Sequence, residues 1–68
     1  MNDWKPEEIR RFRKHLNLSL NGFGELIGVT QRYVIYLEKG VRNPSKTLKL
    51  LLSKIESDVQ EKGEWKND

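Results

Sequence analysis

The 68-residue chain contains no cysteine. Disulfides and cysteine-ligated zinc, the usual reinforcements of very small domains, are therefore excluded. A single histidine, His15, leaves little from which to build a metal site. No apolar run approaches the roughly 18 residues of a membrane span. The start, Met1-Asn2-Asp3-Trp4-Lys5, has no signal-peptide pattern, and the expected compartment is the cytoplasm. No Ser/His/Asp or Cys/His set, phosphate-cradling glycine loop or paired carboxylates stand out, so the chain reads as a non-enzyme without a cofactor. No segment joins a large apolar face to a concentrated basic one, which speaks against a membrane-surface role.

What is present is a modest core under a charged surface. Apolar residues make up 35% and charged residues 34%, enough for one small domain. A chain this short buries only about 60% of its unfolded surface, so its stability is expected to be marginal. The net charge of +3 permits a nucleic acid or another acidic partner without demanding one.

Two prolines and five glycines punctuate the sequence. Ile9, Phe12 and Leu16 share one helical face, and Pro6 suits a first helical position. A first helix is predicted from Pro6 to about Leu16, with Trp4 and Ile9 as a hydrophobic staple and Asn17 in the left-handed position after it. Ser19 caps a second helix, about Leu20 to Ile27. Gly28-Val29-Thr30 is a short turn, and Thr30 caps a third helix from Gln31 to about Lys39, stopped by Gly40. Ser45 caps a fourth, from Lys46 to Val59 or slightly beyond, with an apolar stripe of Leu48, Leu51, Leu52, Ile55 and Val59. The expectation is an all-α, compact four-helix or five-helix bundle, with residues 1–62 as the domain and 63–68 as a flexible tail.

Two short helices joined by a three-residue turn hide their apolar faces only by crossing and packing. Phe23 and Ile27 face inward from the second helix, Val34 and Leu37 from the third, and Val29 plugs the turn. Gly24 falls where the helices approach most closely. Gly28 falls where the chain reverses, often with positive φ. This is helix-turn-helix spacing.

The stretch from Leu18 to Gly40, with Arg42-Asn43-Pro44-Ser45 after it, resembles the Cro and phage-repressor type of regulator, the xenobiotic-response-element family. The resemblance covers about residues 6 to 58. It implies a repressor-like fold, bacterial or phage origin, and double-stranded DNA as partner. The third helix would enter the major groove, with Gln31, Arg32, Ile35 and Tyr36 facing the bases. Asn21, Arg42, Asn43 and Lys46 would hold phosphates. Arg13 and Glu38 occupy positions that pair in the family, which implies an ion pair tying the first helix to the third. The resemblance further implies a transcriptional repressor acting as a homodimer on a pseudo-palindromic operator.

Two positions depart from the family pattern. Leu20 stands where glutamine is usual, and Ile35 where a polar residue is usual. Either the domain reads thymine methyls through them, or this face binds a protein partner, as in antitoxin-like modules. Tyr36 suits groove contact and packing equally. Leu50 and Trp65 are candidates for contacts between subunits.

Overall fold

A computed structural model describes residues 4–62, with side chains through residue 59. Four helices follow one another: α1 (Pro6–His15), α2 (Leu20–Ile27), α3 (Gln31–Lys39) and α4 (Lys46–Lys62). No strand occurs among the described residues. The sequence-predicted tail, residues 63–68, and with it Trp65, lies outside them.

The helix ends are set by local chemistry. Pro6 opens α1, and the Glu8 side chain accepts from the Lys5 backbone N–H at 3.1 Å. Ser19, Thr30 and Ser45 each accept a backbone N–H three residues on, from Gly22, Tyr33 and Leu48, at 3.0–3.1 Å. Each such cap is worth about 1 kcal/mol. At the other end of α1, Asn17 takes φ 60°, and Leu18 N–H reaches back to the Arg13 carbonyl at 3.2 Å. The same closure recurs after α2, where Val29 N–H donates to the Gly24 carbonyl at 2.8 Å. Gly28 between them has φ 81°, a conformation that costs a residue with a Cβ about 1 kcal/mol or more.

Each helix contributes two side chains to one core: Ile9 and Phe12, Phe23 and Ile27, Val34 and Leu37, Leu48 and Leu52. Phe12 meets Phe23 edge-on, with ring centroids 6.4 Å apart. Burying each of these side chains stabilises the fold by roughly 1.5–3 kcal/mol. Helix α2 packs most closely on α3. A Cβ on Gly24 would lie 2.6 Å from the Val29 carbonyl oxygen, so the tight α2–α3 turn requires a hydrogen at that position.

Two features depart from the sequence reading. Trp4 is more than a staple over α1, being 1% exposed. Its ring lies 5.3 Å from that of Phe12, and its indole N–H donates to Ser53 Oγ on α4 at 3.1 Å. Trp4, two residues before α1, therefore ties the first helix to the last. The second departure is Leu51, expected in the α4 stripe but 36% exposed. The inward stripe runs through Leu48, Leu52, Ile55 and Val59 at spacings of four, three and four. Leu51 precedes Leu52 by one residue, about 100° around the helix, and falls at the rim.

Candidate nucleic-acid interface

Helix α3 divides into two faces. Val34 and Leu37 are buried against the rest of the domain. Gln31 and Arg32 are exposed in its first turn, just after the Thr30 cap. Ile35 and Tyr36, one turn further, are half-buried. A long amide and a guanidinium thus stand at the start of a rigid helix whose other side is anchored.

Behind that face, the Arg13 guanidinium forks onto Glu38. Arg13 Nε donates to one carboxylate oxygen at 2.6 Å and Nη2 to the other at 3.2 Å. The third nitrogen, Nη1, donates to the Leu18 carbonyl at 3.0 Å. One side chain therefore holds the end of α1, the entry to α2, and the last turns of α3. The two side chains are only 13% and 9% exposed. Planar, two-point pairing of this type fixes orientation as well as adding energy.

Leu20 and Ile35 come together at the same place. Both are half-buried and line a cleft of about 250 Å³ with Arg10, Arg13, Glu38 and Lys39. The two apolar departures therefore lie beside the ion pair. Arg10 and Lys39 flank them as cations. Position along α1 alone does not show that Arg10 lies beside these residues of α3.

The remaining candidates are spread around the rim. Asn21 is exposed in the first turn of α2, and Lys46 opens α4. Arg42 and Asn43 are exposed in the loop after α3. They line a separate cleft with Lys5 and Lys49, so the positive rim is broader than the sequence reading supposed. Among the described residues, no group of His, Asp and Glu is placed to hold a metal ion. Nor is any helix there long and apolar enough to cross a membrane.

A four-helix domain with α2 packed on α3 through a three-residue turn that closes tightly on Gly24 defines a helix-turn-helix protein. The helix-turn-helix family model of the Cro/repressor type matches residues 9–55, well over half of the chain. The protein belongs to that family, a DNA-binding, transcription-regulator type of domain. The match begins at Ile9, the first buried residue of α1, and ends at Ile55 in the inward stripe of α4. No curated protein and no solved structure gives a significant match to the chain.

Proposed function

We propose that this protein is a sequence-specific repressor that binds a pseudo-palindromic operator as a homodimer, with α3 in the major groove. The observation that carries the reading is the exposure of Gln31 and Arg32 on the first turn of an α3 whose opposite face is buried. Arg32 suits guanine O6 and N7, and Gln31 suits adenine N6 and N7. Each two-point contact is worth roughly 1–3 kcal/mol of discrimination. Ile35 and Tyr36 add apolar contact to thymine methyls or sugar. Asn21, Arg42, Asn43 and Lys46 hold phosphates and set the register without reading sequence. A single module this small buries too little surface for tight binding, so two copies on half-sites about one helical turn apart are favoured. Repression follows from occlusion of the promoter. Selection of binders from a random duplex pool tests the reading. A two-fold symmetric consensus supports it, and an unenriched pool contradicts it.

A second reading is favoured by the Leu20–Ile35 cleft. That apolar floor, with Tyr36 beside it, suits a protein partner in the manner of an antitoxin. It predicts a stable complex with one partner protein, lost on Ile35→Lys, together with weak and sequence-indifferent DNA binding.

A further inference from the structure

Two exposed cations, Arg10 on α1 and Lys39 at the end of α3, line the cleft that holds Leu20 and Ile35. The other charged residues of that cleft, Arg13 and Glu38, neutralise one another through their forked hydrogen bonds. Two positive charges are left over, and among the described residues neither is paired with a carboxylate. We infer that this cleft seats the sugar–phosphate backbone of one DNA strand, with Arg10 and Lys39 each holding a phosphate and Leu20 and Ile35 lying against deoxyribose. The inference rests on the DNA-binding reading above and extends its contact surface from α2, α3 and the loop after α3 to α1.

The first argument is charge. A larger groove of about 460 Å³, walled by Ile27, Val29, Tyr33 and Leu48, has no charged residue on its walls and offers an anion nothing. The Arg10–Lys39 cleft combines an apolar floor with two uncompensated cations. A DNA strand matches that combination at every nucleotide, since the C–H faces of deoxyribose alternate with phosphates. Arg10 is also held in place. Arg13 is bound to Glu38 and to the Leu18 carbonyl, and Arg10 lies one turn earlier on the same face of α1. A cation positioned by the fold gives up less freedom on meeting a phosphate than one on a loose segment.

The second argument is position along α3. Gln31, Ile35 and Lys39 follow one another at four-residue steps, along one line of the helix. Ile35 is about 6 Å and Lys39 about 12 Å behind Gln31 along the axis. The major groove is about 8.5 Å deep. With Gln31 at the base edges, Ile35 is inside the groove near the sugars, and Lys39 is at or beyond the lip for any tilt up to about 45°. Phosphates lie at that lip. The cleft is therefore continuous with the base-reading end of α3.

Fluorescence anisotropy of the full chain on labelled duplexes at several salt concentrations tests the inference, with circular dichroism melts to verify folding. Arg10→Ala and Lys39→Ala should each weaken binding to a selected site and to a scrambled duplex alike. The loss should be about three- to four-fold larger at roughly 50 mM salt than at roughly 200 mM, because each variant releases one counterion fewer. Arg10→Lys, which keeps the charge, should restore most of the affinity. Lys54→Ala removes the same charge from an exposed position on α4 outside the cleft and should show no such change. Single neutral methylphosphonates along the selected site then locate the seat. One of them should weaken the parent several-fold and leave Arg10→Ala unaffected, since a contact already removed is not lost twice. Folded Arg10→Ala and Lys39→Ala proteins that bind DNA like the parent would overturn the inference and leave the cleft to a protein partner. Losses matched by Lys54→Ala would overturn it too, as effects of net charge alone. Phosphate contacts are indifferent to sequence, so the salt titration also serves on a random duplex. An unenriched pool with the Arg10 effect intact counts against base reading only, and a selected site without that effect counts against the cleft only. A chain that binds no duplex at all overturns both.

Discussion

Arg13 and Glu38 share two charge-assisted hydrogen bonds, at 2.6 Å and 3.2 Å, across the junction of α1 and α3. The third contact, from Arg13 to the Leu18 carbonyl, makes the pair a bracket around the entry to α2. Removing one partner leaves the other charge in a mostly dry site beside Leu20 and Ile35. Arg13→Ala should therefore destabilise the fold by about 2–4 kcal/mol, toward the lower end because some water still reaches both groups. Replacing both by apolar residues of similar size, Arg13→Met with Glu38→Leu, should cost much less. Chemical denaturation of the single and double variants measures this. Equal losses in all of them would mean that the side chains matter for packing and not as a pair.

The two glycines of α2 should behave differently. A Cβ at Gly24 meets the Val29 carbonyl oxygen at 2.6 Å, which is backbone and cannot rotate away. Gly24→Ala should spread α2 from α3 and lower stability by about 1–3 kcal/mol. At Gly22 the nearest atoms are Ser19 Oγ at 3.3 Å and Leu18 Cδ2 at 3.5 Å. There the gain of up to about 1 kcal/mol in helix propensity opposes a slight crowding of the cap. Gly22→Ala should leave the melting temperature within a few degrees of the parent. Similar effects at both sites would show that propensity outweighs the close approach.

Trp4, in the segment before α1, couples α1 to α4 by packing on Phe12 and donating to Ser53. Trp4→Ala should cost about 3–5 kcal/mol, enough to unfold a domain of this size under ordinary conditions. Ser53→Ala isolates the polar part of that contact. It leaves a buried indole N–H without its Ser53 partner and should cost about 1–2 kcal/mol. Thermal melts of both variants are the check. A Ser53→Ala protein as stable as the parent would show that the hydrogen bond contributes nothing beyond packing.

The elements of this fold were legible because their signals are local. Ser19, Thr30 and Ser45 announce helix starts. Asn17, Gly28 and Gly40 announce helix ends. Gly24 is explicable from sequence because a three-residue turn forces two helices together at a known offset. Contacts between distant segments were not legible. Trp4 and Ser53 are 49 positions apart, and no periodicity links them. Leu51 fits the amphipathic pattern of α4, but the face that α4 actually buries is narrower than the pattern. Tyr33 gives no sign in sequence that it walls a groove, since that depends on how α4 returns past α3. For the residues proposed to face DNA, position on α3 follows from the helix register, whereas the company kept by Leu20, Ile35 and Arg10 follows only from how α1 and α2 pack on α3.

The proposed function divides labour between residues that read bases and residues that hold phosphates. It is tested most directly by titrating Arg32→Ala and Lys46→Ala proteins against a selected site and a scrambled duplex at several salt concentrations. On this account Arg32→Ala lowers affinity for the selected site about ten- to a hundred-fold and barely changes binding to the scrambled one. Lys46→Ala weakens both alike and reduces the salt slope by about one. The opposite pattern, in which Arg32→Ala weakens both duplexes equally and selectivity survives, would contradict it.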